Sequence, residues 1–399
     1  MMRNPIGRAV FASAVVLAMS TAGTGAANAQ EPAQVPVNGT DSSNAIPEQY
    51  IVVMKPGTQA SSDRVSAANQ ARSNGAEVLA EYDSALDGFA ARLTTEALDG
   101  LRSDPNVAYI EADQSVALLD TQSPATQGLD RIDQRDLPLS NSYTFDVTAS
   151  GVTAYVIDTG VRLTHGDFGG RATSGFDAVD GGSADDCNGH GTHVAGTVGG
   201  ETYGVAKAVD VVAVRVLNCA GSGSNSGVIA GIDWVTSDHA DGAPAVANMS
   251  LGGSASAALD EAVSNSIADG VTYAVAAGNE NSDACNSSPA RVPEAITVGS
   301  TSVDDVRSEF SNYGTCVDIF APGSEITSTW STSDSATNTI SGTSMAAPHV
   351  AGAAALFVAQ SPSASPQAVS DGLVAAGTPD VLTDPRPGSP NVLLCTSGA

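Results

Sequence analysis

Beyond residue 150, short unbroken apolar runs alternate with longer stretches of helical period. The runs Val152–Ile157, Val209–Leu217, Ala245–Ser250, Val271–Ala277, Ala295–Ser300 and Val317–Phe320 read as strands. Between and after them, His190–Gly199, Ser226–Asp238, Ala257–Asp269, Ser344–Gln360 and Pro366–Ala376 read as helices. A strand that is apolar at every position has no face to give to water. The pattern therefore predicts an α/β fold, a doubly wound parallel sheet covered by helices on both sides. In such sheets ligands gather beyond the carboxyl ends of strands. Asp158, Ser250 and Gly278 fall there.

The first 120 residues follow a different pattern. Arg3 and Arg8 precede an apolar run from Ala9 to Met19, and Ala27-Asn28-Ala29 closes the segment as an A-x-A cleavage site. That run is shorter than the roughly 20 residues a membrane span needs, so residues 1–29 read as an export signal. Gln30 to Ala45 is polar and without period, and residues 30–48 read as a linker. From Gln49 a compact α+β unit is predicted. Its strands are Tyr50–Met54, Gly88–Leu93 and Asn106–Glu111, and its helices are Ser61–Asn74 and Thr95–Arg102, the second capped by Thr95. The unit closes at Val116-Ala117-Leu118-Leu119, an extended apolar peptide with nothing local to bury it. The expected boundaries are thus 1–29, 30–48, 49–119 and 120–399.

With 15% charged residues and 42% hydrophobic ones, the chain has the composition of a folded protein rather than a disordered one. Its net charge of −28 argues against nucleic acid or an anionic membrane as partner, since both require basic footprints. Residues from Asp120 onward hold 31 of the 44 acidic side chains and 9 of the 16 basic ones. That excess fits solubility in salty surroundings, and some of the carboxylates are candidates for calcium. Export makes the five cysteines candidates for disulfides, but spacing alone leaves the pairing open.

Three stretches crowded with small residues carry the candidate chemistry: Val156-Ile157-Asp158-Thr159-Gly160, Asn188 to Gly196, and Gly342-Thr343-Ser344-Met345-Ala346. A serine hydroxyl becomes a nucleophile when a base takes its proton, and the base needs a third group to fix its tautomer. Ser344, His190 and Asp158 supply that set. His190 and His193 are also spaced H-x-x-H, which would suit zinc. Gly191 stands where a zinc hydrolase carries Glu, so His193 reads as a packed helix residue, and His165, His239 and His349 as structural or surface ones.

The segments Tyr155–Gly160, Asn188–Gly196 and Ser341–Gly352 resemble subtilisin-family serine proteases. Leu129–Arg135 and Ser311-Asn312-Tyr313-Gly314 carry a finer likeness to the proteinase K branch and its aqualysin-like bacterial members. The Asp–His–Ser chain order agrees with that family. The likeness runs from about Gly128 to Leu394, and the preceding unit is similar to the family's inhibitory propeptide. It implies a secreted, monomeric endopeptidase acting on proteins and peptides, made as a precursor that its own Ser344 cuts after Leu119. It implies Asn279 as oxyanion donor, and Gly221-Ser222-Gly223-Ser224 and Ser250-Leu251-Gly252-Gly253 as substrate-binding edges. Ala276, Ala277, Gly278 and Leu251 would frame a pocket, with no charge at its base, for an apolar or aromatic residue before the cut. The resemblance also implies bridges Cys187–Cys219 and Cys285–Cys316, leaving Cys395 unpaired. Structural calcium is implied at Pro293, Ala295 and Asp318, at Asp130, Asp133 and Gln134, and at a third cluster of Asp177, Asp180 and Asp185. Gln127 departs from the family's usual Trp.

Overall fold

A computed structural model describes residues 34–40, 45–57, 60–114 and 120–397, in two compact units, 1–114 and 115–399. The predicted export signal, the peptide Val116–Leu119 and the expected cut after Leu119 lie outside the described residues.

The N-terminal unit is a five-stranded sheet in the order Val37–Asn38, Val107–Gln114, Ala45–Met54, Gly88–Arg92, Glu77–Tyr82. The helices Ala60–Ser73 and Thr95–Arg102 share its core. Ala67, Ala68 and Ala71 of the first helix, Ala97 and Leu101 of the second, and Val52, Phe89 and Ile110 from the sheet are buried together. Small alanines let the longer helix lie close to the strands. Three expectations change. The strand Glu77–Tyr82, paired with Gly88–Arg92, has no counterpart in the sequence reading. The segment read as a linker contributes strand Val37–Asn38, which pairs with Ile110–Glu111, because Val35 and Val37 pack on the core. The second helix is capped by Thr94, not Thr95: the Thr94 hydroxyl accepts from Ala97 N at 3.2 Å.

The second unit is organised by a nine-stranded sheet. In chain order its elements are β1 (Thr153–Asp158), β2 (Ala172–Asp177), α1 (His190–Gly199), β3 (Asp210–Arg215), α2 (Asn225–Asp238), β4 (Ala245–Met249), α3 (Ala257–Ala268), β5 (Thr272–Ala276), β6 (Ile296–Thr301) and β7 (Ile319–Pro322). A hairpin β8 (Ile326–Thr329) and β9 (Thr337–Ile340) follows, then α4 (Thr343–Gln360), α5 (Pro366–Ala376), β10 (Thr378–Pro379) and β11 (Val392–Leu393). The sheet order is β10-β11-β7-β6-β5-β4-β1-β3-β2, parallel throughout except the β10–β11 pair. Residues alternate across it as the apolar runs require. Ala154 and Val156 of β1 face a core built with α1, α4 and α5, while Tyr155 and Ile157 face one built with α2 and α3. Each fully buried Val or Ile in these layers contributes roughly 1.5–3 kcal/mol.

Strand β1 is where the winding reverses. Its neighbours are β4 on one side and β3 on the other, so the crevice at its carboxyl end is the switch point of the sheet. The predicted strands and helices of this second unit match to within two residues. Strand β2 has no counterpart in the sequence reading, because Ala172–Asp177 is an edge strand whose apolar run is broken by Ser174 and Gly175. Phe176 holds it down by stacking on Trp234 of α2, with ring centroids 6.1 Å apart.

Candidate active site

Asp158, the last residue of β1, is fully buried. Its Oδ1 accepts from Nδ1 of His190, the first residue of α1, at 2.8 Å, and from the amide of Thr159 at 2.7 Å. A helix start can come this near a strand end only without side chains in between. A Cβ on Gly191 would collide with the carbonyl oxygen of Gly160 and press on the Asp158 Cβ. Burial pushes the His190 pKa down, but the charge and hydrogen bond of Asp158, followed by the charge of Asp186, outweigh it. The net shift is upward.

Ser344 is the second residue of α4. Pro348 lies inside that helix and has no N–H to give to the Ser344 carbonyl four residues earlier. The Ser250 hydroxyl fills the gap, donating to Ser344 O at 2.7 Å, and is itself held by Asn248 Nδ2 at 2.9 Å. The Ser344 hydroxyl donates in return to Ser250 O at 3.2 Å. Among the described residues it has no hydrogen bond to His190.

At the end of β5 the chain turns at Gly278, whose φ of +104° favours glycine. The turn presents Asn279. Its Oδ1 accepts from the amide of Thr343 at 2.8 Å and from the Thr343 hydroxyl at 3.0 Å. With the oxygen so committed, the NH₂ end of the carboxamide is the end left for a ligand. Thr343 Oγ1 also accepts from Gly278 N at 3.1 Å, so one hydroxyl ties the helix start to the strand end.

Two adjoining cavities open over these groups. One of about 450 Å³ is lined by His190, Leu217, Gly221, Ser222, Gly223, Ser250, Leu251 and Gly252. Its neighbour, about 410 Å³, is lined by Leu251, Gly252, Ala276, Ala277, Gly278, Asn279, Glu280 and Ser344. The substrate edges expected from the sequence therefore form one continuous cleft joined at Leu251–Gly253. Glu280 adds a carboxylate to the wall, with Oε2 accepting from Asn312 Nδ2 at 2.8 Å.

The sequence pattern of the Subtilase family matches residues 149–387, and that of the peptidase inhibitor I9 family matches residues 49–119. The chain belongs to the subtilase family of serine proteases. It is 54% identical, over 96% of its length and 97% of the relative's, to an extracellular serine proteinase of Thermus sp. strain Rt41A. It is 53% identical to alkaline serine exoprotease A of Vibrio alginolyticus, over 88% of this chain and 67% of that one. The crystal structure of a cold-adapted subtilisin-like serine proteinase superposes with a TM-score of 0.67 at 55% identity, covering 69% of this chain and all of that one.

The other sequence-predicted residues of this subtilase are distributed as follows. Cys187 is bonded to Cys219 and Cys285 to Cys316, while Cys395 is free and buried. His193 bonds Ile326 O through Nε2 at 3.0 Å and meets Trp330 edge-on; burial holds its pKa down at about 4. His349 is wholly buried against Met345 O at 2.8 Å, its pKa likewise near 4. His165 and His239 bond Ala336 O and Asp269. Gln127 opens the short helix Gln127–Ile132 and donates to the carbonyls of Ser324 and Glu325 at 3.0 Å, anchoring that helix.

The three expected calcium sites fare differently. Asp318 and Pro293 line one surface cavity. Asp318 accepts from Thr297 N through one oxygen, and burial raises its pKa to about 6, so a cation there would compensate a stranded charge. Those residues fit the ion. Asp130, Asp133 and Gln134 are divided: Asp133 Oδ1 is buried with no hydrogen-bond partner among the described residues, and burial raises its pKa as at Asp318, while the other two are already engaged. Asp130 already accepts from Ser140 N, Ser140 Oγ and Asn141 N, and the Gln134 amide donates to Asp136 O and Pro138 O. The third cluster is overturned: Asp177 and Asp180 share the Arg215 guanidinium at 3.0 and 3.1 Å, so their cation is a side chain. Among the described residues no three or more His, Cys, Asp or Glu side chains converge as a metal site.

Sequence reading missed the roles of Thr343, Glu280 and the Ser250 hydroxyl. Only the last left a signal, in Pro348 placed four residues after the candidate nucleophile.

Proposed function

We propose that this subtilase is an exported endopeptidase using Ser344 as nucleophile, His190 as base and acid, and Asp158 to orient the imidazole. The 2.8 Å bond between Asp158 Oδ1 and His190 Nδ1, beside a cleft that Ser344 also lines, carries the reading. His190 Nε2 takes the Ser344 proton as Oγ bonds the scissile carbonyl carbon. The resulting oxyanion is held by Asn279 Nδ2 and the backbone N–H of Ser344. His190 then gives its proton to the departing amine nitrogen as the C–N bond breaks, and water repeats the sequence on the acyl-enzyme. The Ser344 hydroxyl must first leave the Ser250 carbonyl, a rotation between staggered wells. Glycine-rich edges read backbone more than side chain, which supports broad specificity with apolar or aromatic residues before the cut.

The unit over residues 49–119 acts as an inhibitory folding aid, removed by Ser344 between Leu119 and Asp120; the mature chain, 120–399, works as a monomer outside the cell. The match of residues 49–119 to an inhibitor family and the extracellular relatives support this. Calcium bound by Asp318 and the carbonyls of Pro293 and Ala295 would supply charge compensation and no chemistry. Ser344→Ala should accumulate uncut precursor and leave casein intact, while a phosphonyl fluoride should silence the wild type. Normal maturation of Ser344→Ala, or a preference for Lys or Arg before the cut, would reject the reading.

A further inference from the structure

Two carboxylates stand behind His190, and only one of them touches its ring. The second, Asp186, lies four residues before His190 in sequence and is 9% exposed. Its Oδ1 accepts from the Thr159 hydroxyl at 2.9 Å, Asn188 N at 2.8 Å and Gly189 N at 3.0 Å. Its Oδ2 accepts from Thr192 N at 3.0 Å and Thr192 Oγ1 at 2.6 Å. The residue flanking α1, Gly189, has no side chain to cap the helix, so Asp186 receives the first-turn amide that would otherwise lack an acceptor.

Thr159 sits between the two acids. Its hydroxyl donates to Asp186 and accepts from Gly191 N at 2.9 Å. That commitment turns it from Asp158, its neighbour in sequence, and among the described residues Asp158 Oδ2 is buried with no hydrogen-bond partner. Donors spread and stabilise carboxylate charge. A carboxylate denied one keeps more of its charge for the imidazolium.

We propose that Asp186 is a positioning residue for peptide hydrolysis, fixing the start of the helix that carries His190 and withholding the Thr159 hydroxyl from Asp158. The inference rests on the His190 role proposed above. The titratable groups around the imidazole are Asp158 from β1, Asp186 from the loop before α1 and His193 from α1 itself. His349, on α4, faces His193 and stays neutral. Among the described residues, Asp186 is thus the one charged group besides Asp158 that raises His190.

The test is the pH profile of kcat/KM for Asp186→Asn on a peptide anilide, with Thr159→Val and His190→Ala alongside. Asp186→Asn should lower the acid-limb pKa by about half a unit, since a negative charge is lost, and lower kcat roughly tenfold at unchanged KM, since the base is misplaced. Thr159→Val keeps both carboxylates but removes the bridge. It should lower kcat with the acid limb unmoved, and it stands in should Asp186→Asn fail to fold. A folded Asp186→Asn with wild-type kcat and acid limb, or Thr159→Val with wild-type kcat, overturns the inference. If His190→Ala stayed active, the underlying triad reading would fall instead.

Discussion

The His190 side and the Ser344 side of the cleft are held in different ways. Around His190, buried polar atoms from β1, the preceding loop and the first turn of α1 bond one another, and the ring is fixed at 2.8 Å to Asp158. Around Ser344, the backbone is pinned through Ser250, yet the hydroxyl rests on the Ser250 carbonyl at 3.2 Å and would have to turn to act in the proposed mechanism. An imidazole in the wrong tautomer or tilt cannot accept the proton, so its orientation has to be built in beforehand. A hydroxyl turns about one bond, so only its carbon needs a fixed place. The protein spends its buried polar network where rotation cannot correct an error.

If the two sides work as one unit, either His190→Ala or Ser344→Ala alone should lower kcat by roughly 10⁶-fold, and the double variant should be little worse. A double variant much slower than both singles would break the comparison by showing independent contributions. Asn279→Leu should lower kcat by about 10²–10³-fold with KM nearly unchanged if, as proposed, its amide works only on the developing oxyanion. A change confined to KM would move Asn279 into ground-state binding.

Smaller effects separate charges that are compensated from charges that are not. On one helix, His190 is raised by carboxylates while His193 is lowered to about 4 by burial, as is His349 on α4. The unfolded chain binds protons at His193 and His349 below about pH 6.5 that the folded chain refuses until about pH 4. Their contribution to stability is therefore present above 6.5 and fades as pH falls through that window, by up to about 3 kcal/mol each. Imidazole titration by NMR should find His190 highest of the three.

Asp318 has the opposite sign. Held at about 6 when folded, it keeps a proton that the unfolded chain has already released near 4, so stability falls as pH rises through that interval. A cation removes that penalty. Chelation should lower Tm more at pH 8 than at pH 5, and equal shifts at both would detach calcium from Asp318.

Much of this was legible in the linear text. Strands apolar on both faces announce a covered parallel sheet, and the limits of α1 and α5 follow from the period of their side chains. Glycines beside Asp158, His190 and Ser344 mark crowded turns before any contact is known. Charge clusters were less informative: Asp177 and Asp180 read as a cation site until Arg215, distant in sequence at the end of β3, is seen between them. An edge strand such as β2, interrupted by Gly175 and held by one aromatic stack, leaves too little periodicity to detect.

The sequence by itself determined which residues form strands and helices and which three side chains carry candidate acyl chemistry, because periodicity and residue type are local properties. The tertiary structure alone decided which acid pairs with which donor. It set Thr159 on Asp186 rather than Asp158, left Ser344 on Ser250, gave Arg215 to two aspartates and turned Glu280 into the pocket wall. Hydrogen bonds and ion pairs depend on distances of a few ångströms between segments far apart in the chain, and only the packed sheet fixes those distances.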